Sequence, residues 1–228
     1  GQAAPTPRAV RARWVLEARV PELIDAAYTQ RFLPVPRQQR AKAIAESVRT
    51  SAIASVQGAG WLSDAGKAAA VARLQAMRIQ VGTEVPDNVF DDLVFDRRNL
   101  AGNVLALRKW LMRYSLVRAR SAWPAEQWQP LVALMPQENR LVVTAATLQP
   151  PLLDDASSAA DFGGFGALVA QQLALSLQTF DGADAAAWNK RAQPLIAQFN
   201  AYSATGGATR VNGTRSLAQN QADLAGLE

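Results

Sequence analysis

The spacing of apolar side chains constrains this chain more than any other feature. Between Arg37 and Gln57, Ala41, Ile44, Ala45, Val48, Ala52 and Val56 recur at the three- and four-residue intervals of a single helix face. Arg37, Arg40, Lys42 and Arg49 are left for the outside, and Gly58-Ala59-Gly60 ends the run. The same reading predicts one helical stretch from Arg8 to Gln30, closed by the prolines of Arg31-Phe32-Leu33-Pro34-Val35-Pro36. Ser63 followed by Asp64 is an N-cap pattern for a helix through Val71, Leu74 and Met77, ending before Val81-Gly82. A third amphipathic helix is expected over Asn99 to Val117, with Leu100, Val104, Leu107, Leu111 and Tyr114 inward and Arg98, Lys109, Arg113 and Arg120 outward. Later come an apolar helix to about Phe180 and another carrying Trp188, Ala192, Leu195, Phe199 and Tyr202, with Pro194 expected to kink it.

Strand signals are sparse. Arg140 to Leu148, with Val142, Val143, Thr144 and Thr147, is the one convincing strand, and Gln149-Pro150-Pro151 terminates it. The segment from Val85 to Asp96 has a proline, four acids and no period, so it reads as a connection. The fold class is therefore mainly α, an α+β arrangement with one small β-sheet. We divide the chain into a helical region, residues 1–120, and a second region, residues 121–228, forming one compact unit.

The chemistry is bounded by what is missing. The chain has no cysteine and no histidine, which excludes disulfides, thiolate ligands, imidazole ligands and any histidine-assisted nucleophile within it. Gly163-Gly164-Phe165-Gly166 is not a phosphate loop, because no Lys-Ser/Thr follows to hold a nucleotide phosphate and its metal. The net charge of +5 and pI near 10.1 allow an acidic partner for Arg98, Lys109, Arg113 and Arg120. No nucleic-acid motif accompanies that charge. The longest apolar run, Ala167 to Leu177, is interrupted by Gln171 and Gln172 and is too short for a membrane span, which needs about 20 residues.

Several segments taken in order resemble the neprilysin-type (M13) zinc metallopeptidases. Tyr28, Arg31-Phe32 and Pro34 are followed by Trp61-Leu62-Ser63-Asp64, then Lys67, Ala70, Leu74, Met77 and Val81-Gly82. Pro136-Gln137-Glu138-Asn139-Arg140-Leu141-Val142-Val143 then runs into Ala145-Ala146-Thr147-Leu148-Gln149-Pro150-Pro151-Leu152-Leu153. Gly163-Gly164-Phe165-Gly166-Ala167-Leu168-Val169 is similar to the family's glycine-rich lead into its zinc helix. Val211-Asn212-Gly213 and Asn220 through Leu227 are similar to the segment that carries its third ligand.

The resemblance implies the central helical and zincin-like part of that peptidase fold. In the family, a His-Glu-x-x-His helix supplies two zinc ligands and the base that activates water. The matching positions here are Gln171, Gln172 and Leu175. Gln219 stands where the third ligand, a glutamate, is expected, and Asp223 keeps the carboxylate that would orient an imidazole. An Asn-Ala pair that anchors substrate aligns with Leu131 and Val132. The family's later segment, with a further histidine and arginine, would fall beyond Glu228, and a large upstream part would precede Gly1. The implied protein is a degenerate, shortened pseudopeptidase that needs no zinc or other cofactor. It is expected to act as a protein- or peptide-binding, scaffolding or regulatory subunit, with self-association or an active peptidase among its possible partners. The resemblance, with the small Pro-containing residues Gly1 to Pro7, implies a periplasmic or secreted location. The competing expectations are an enzyme of unrelated chemistry, using Lys, Ser or carboxylates such as Asp91, Asp92, Asp154 and Asp155, and a basic nucleic-acid binder.

Overall fold

Four consecutive residues, Arg140–Val143, form the strand on which the rest of the molecule is assembled. In the computed structural model, which describes residues 6–83, 91–118, 126–154, 157–203 and 206–227, this strand is the middle of a three-stranded sheet. Its β-branched and aliphatic side chains suit a position buried on both faces, and Leu141, Val142 and Val143 are wholly buried. On one side Arg78–Val81, here β1, pairs parallel with it; on the other Val132–Met135, β2, pairs antiparallel. Arg140–Val143 is β3, and the order is β1-β3-β2, so β2 is an edge strand.

The helices described before β1 are α1 (Arg8–Arg19), α2 (Pro21–Phe32), α3 (Val35–Gly58) and α4 (Asp64–Ala76), and α5 (Leu100–Arg118) lies between β1 and β2. After β3 come α6 (Ser158–Asp161), a π-helical turn (Phe162–Gly166), α7 (Ala167–Ser176), α8 (Gly182–Ala201) and α9 (Gly213–Leu227). The core lies where α3 and α4 meet the sheet and α7. It includes Ile44, Leu74, Met77, Leu141, Leu148, Leu153, Phe165, Val169 and Leu173.

The expected periodicity of α3 holds, with Ala41, Ile44, Ala45 and Val56 buried. Ser63 caps α4, its Oγ accepting the N–H of Gly66 at 3.0 Å. Other expectations need correction. The first stretch is two helices, because Pro21 cannot continue the hydrogen-bond ladder of α1 and starts α2 instead, with Val20 non-helical between them. The expected single strand ends at Val143, and Thr144 to Gln149 turn. Two strands went unread because β1 and β2 have only four residues each and lack alternation; pairing with β3 makes them strands. The apolar helix α7 stops at Ser176, short of Phe180. Pro194 lies inside α8, and Tyr202 falls just outside it. Of the 85–96 connection, residues 84–90 lie outside the described part, and Asp91 to Asp96 are turn and coil.

In α5 the inward face is rotated from expectation. Leu100 and Val104 are exposed, Leu107, Leu111 and Tyr114 are half-buried, and Trp110 is the buried residue. Apolar side chains occur all round this helix, so periodicity leaves its orientation open. The buried indole stacks on Tyr114, one turn further along the same helix, with ring centres 4.7 Å apart and planes at 12°.

The glycine-rich segment has a packing role. A Cβ on Gly164 would come within 3.0 Å of the Leu152 carbonyl, and the neighbouring Phe165 N–H donates to that same oxygen at 3.2 Å. The π turn can therefore lie directly against the Gln149–Leu153 turns. Just before it, buried Asp161 accepts from Arg40 Nε at 2.7 Å and from Arg40 Nη2, tying α6 to α3.

Candidate functional site

The positions singled out on α7 and α9 converge. These helices approach so closely that a Cβ on Gly226 would stand 2.8 Å from the Ala167 carbonyl, and one on Gly213 would stand 2.3 Å from the Ile196 carbonyl of α8. Asn212 sets the start of α9, its Oδ1 accepting the Arg215 N–H at 2.9 Å, while Asn200 Oδ1 accepts the Gly213 N–H at 2.8 Å. Gln171 and Asp223, 52 residues apart in sequence, thereby come into hydrogen-bond contact, Gln171 Nε2 donating to Asp223 Oδ1. Gln219, one turn before Asp223, donates its Nε2 to the same oxygen at 2.9 Å.

The network continues to the sheet. Gln172 Nε2 donates to Gln171 Oε1 at 3.1 Å, and Gln172 Oε1 accepts the backbone N–H of Leu134 at 3.0 Å. Leu131, beside β2, turns both backbone groups toward β3: its carbonyl accepts Thr144 N–H at 3.0 Å, and its N–H reaches Thr144 Oγ1 at 2.9 Å and Thr147 Oγ1 at 2.8 Å. By antiparallel alternation, Val132 and Leu134 direct theirs to the free edge. The side chain of Gln172 therefore occupies one of the few edge donors through which β2 could add another strand. A chain of amides runs from the sheet edge to one carboxylate on α9.

This donor set does not fit zinc. Gln171, Gln172 and Gln219 carry neutral amides, Leu175 has no donor atom, and Asp223 is the one charged group in the network. Zinc sites are built from imidazole, thiolate and carboxylate ligands, usually at least three from the protein. Among the described residues, no group of three or more His, Cys, Asp or Glu side chains converges anywhere in a metal-holding arrangement. The amides donate and accept hydrogen bonds but do not exchange a proton near neutral pH.

The remaining sequence candidates are dispersed. Leu131 and Val132 sit at the sheet edge, where the side chain of Leu131 is exposed. Arg98, Lys109 and Arg113 are exposed on or beside α5, while Arg120 lies outside the described residues, as does Asp155. Sequence reading missed the polar groups that hold the edge strand in place. Gln127 Oε1 accepts Ala145 N–H at 3.0 Å, Thr144 Oγ1 donates to the Gln129 carbonyl at 2.6 Å, and Asp25 of α2 accepts the Gln127 N–H. Their signal was weak, since an isolated Gln or Thr looks like an ordinary surface residue until its burial is known.

A second contact joins the end of α7 to the helical region. Trp61 packs against Phe180 and Trp188, with ring centres 5.2 and 5.4 Å away. Beside them Asp184 accepts Ser63 N–H at 2.8 Å and Ser63 Oγ–H at 2.6 Å. The Ser63 side-chain bond, followed by its backbone bond, holds the Asp184 carboxyl below its ordinary pKa of 3.8. A lowered folded pKa means that this contribution is complete above the ordinary value and is lost as the pH falls through the lowered one. The thermal midpoint of the wild type should therefore fall more steeply on acidification below that range than that of Asp184→Asn, which removes this titration. A Cβ on Gly66 would lie 2.2 Å from Asp184 Oδ2, so a side chain there would make the carboxylate swing aside. Equal acid dependence in the wild type and Asp184→Asn would show that this titration contributes nothing.

The fold, mainly helical with one small mixed sheet and an α7–α9 contact beside its edge strand, matches that of peptidases of known structure. Residues 134–228 match the model of peptidase family M13. The chain is 27% identical over 190 residues to a putative zinc metalloproteinase of Streptococcus gordonii, covering 73% of this chain and 33% of that protein. It is 28% identical over 189 residues to a neutral endopeptidase of Lactobacillus helveticus, covering 73% and 29%. The open-state structure of the Mycobacterium tuberculosis zinc metalloprotease Zmp1 superposes with a TM-score of 0.82 at 23% identity, over 99% of this chain and 39% of that one. The chain is thus similar to M13 peptidases in sequence over residues 134–228 and in fold over nearly its whole length. It spans about a third or less of the length of these two curated relatives.

Proposed function

We propose that this chain is a non-catalytic M13-like protein, a pseudopeptidase that binds a protein or peptide partner. One observation carries the reading: the side chains at the α7–α9 contact are satisfied by one another, with Asp223 Oδ1 shared by Gln171 and Gln219. A peptidase site of this class would place metal ligands and a base there. The scaffold around the contact is kept, as the near-complete superposition on a zinc metalloprotease supports, while the groups at its centre are suited to hydrogen bonding. Exposed apolar side chains on α1, such as Trp14 and Val15, offer surface for a partner. The reading includes an exported location, periplasmic or secreted, which fractionation of source cells would test.

The direct test is metal analysis of purified protein after dialysis, together with a peptide-cleavage assay with and without added zinc. No stoichiometric zinc and no zinc-dependent cleavage are expected. One tightly held equivalent, or cleavage abolished by a chelator, would overturn the reading.

A further inference from the structure

The positive charge of this protein is concentrated in one place. From Arg97 to Arg118 there are six cations, Arg97, Arg98, Arg108, Lys109, Arg113 and Arg118, and no acid. Since the whole chain is +5, the remainder is 5 − 6 = −1. The acid that precedes the segment, Asp96, is engaged at the start of α5, its Oδ1 accepting the Arg98 N–H at 2.8 Å.

The outward arc of α5 is both basic and apolar. At about 100° per residue, Leu100, Val104, Arg108, Met112 and Leu105 follow one another round it, with Lys109 and Arg113 along one border. Leu100 is 78% exposed, Leu105 58%, Met112 72% and Val104 41%. Trp110, on the opposite side of the helix, is buried.

We propose that α5 docks this protein peripherally on an anionic lipid surface. Nucleic acid or a purely acidic polypeptide segment would answer the cations but leave Leu100 and Leu105 in water. A lipid surface supplies anionic headgroups and, a few Å deeper, hydrocarbon, and clusters of four to eight cations on an amphipathic helix suit it. Among the described residues no helix is long and apolar enough to cross a membrane, which fits docking on the surface. This inference is independent of the α7–α9 site, so either can fail without the other.

The test is co-sedimentation of the whole chain with vesicles of phosphatidylcholine alone or mixed with phosphatidylserine, at low and physiological salt. Pelleting is expected with the phosphatidylserine vesicles only, decreasing as salt rises. Arg108→Gln/Lys109→Gln should weaken it about fivefold per charge removed, and Leu100→Gln/Leu105→Gln about tenfold. All four positions are exposed, and an unchanged thermal midpoint would show that the variants remain folded. Undiminished pelleting of the leucine variant would reduce the effect to electrostatic adsorption and overturn the proposal. So would failure to pellet, with or without salt-sensitive binding to RNA or polyglutamate. Loss of pelleting only on Trp14→Gln would assign the contact to α1 and overturn it too.

Discussion

The quadruple variant Gln171→His, Gln172→Glu, Leu175→His and Gln219→Glu is expected to bind one equivalent of zinc, where none is expected for the natural chain. The backbone needed for such a site is already in place. Positions 171 and 175 are one helical turn apart on α7, so two imidazoles there would share a face. Position 219 on α9 already reaches the partner of position 171, since both side chains meet at Asp223. Two imidazoles and a carboxylate form a three-ligand set with an open fourth position, and Asp223 would remain to orient an imidazole from behind. A glutamate at position 172 could still accept the Leu134 N–H that Gln172 accepts now.

Bound zinc should also raise the thermal midpoint. Free zinc at 100 times its dissociation constant adds about 2.7 kcal/mol if the unfolded chain does not bind it. Peptide hydrolysis should stay weak, because position 131, where the resemblance implies a substrate-anchoring amide, carries leucine. Loss of a single electrostatic donor at an acyl-transfer site costs about 100- to 1,000-fold in rate. Metal content, thermal midpoint and turnover measured on one preparation separate the outcomes. Absence of zinc would mean that α7 and α9 do not present these positions at ligand distance. Robust turnover would mean that the amide at 131 is dispensable and that the chain lies much nearer a working peptidase than we propose.

Phe165→Ala is expected to cost about 3 to 5 kcal/mol, the range for truncating a fully buried phenylalanine. Its ring is wholly buried in the core that also holds Leu148, Leu153, Val169 and Leu173. Relaxation into the space left behind is restricted, because the Phe165 N–H is fixed to the Leu152 carbonyl and Gly164 already touches that turn. Against a typical domain stability of about 5 to 15 kcal/mol, a loss of this size leaves little margin. Phe162, three residues earlier and partly exposed, provides the control, and its truncation should cost about 1 kcal/mol or less, like other partly exposed positions. Urea unfolding of both variants would measure the difference. Equal midpoints would mean that the π turn does not face the core as described.

Much of the helical architecture is legible in the residues, because helix signals are local. Alanines and aliphatics at helical spacing define α3, Ser63 caps α4, and Pro21 and Pro34 stand where α2 and α3 begin. The strands are a different case. Val142 and Val143 announce β3, whereas Arg78-Ile79-Gln80-Val81 becomes a strand only because β3 lies beside it, in a parallel register that no neighbouring residue encodes.

The sequence by itself determined which groups are available: no histidine, no cysteine, and amides and leucine at positions 171, 172, 175 and 219. Motif spacing also pointed to the family. Only the tertiary structure decided that Gln171 and Gln219 share one carboxylate oxygen, that Gln172 takes up the Leu134 amide, and that α5 turns Trp110 inward and Leu100 outward. The reason is physical. Helix propensity and capping act within a few residues of chain, whereas these contacts depend on how closely glycines let α7, α8 and α9 approach and on which side of a helix finds a surface to bury against.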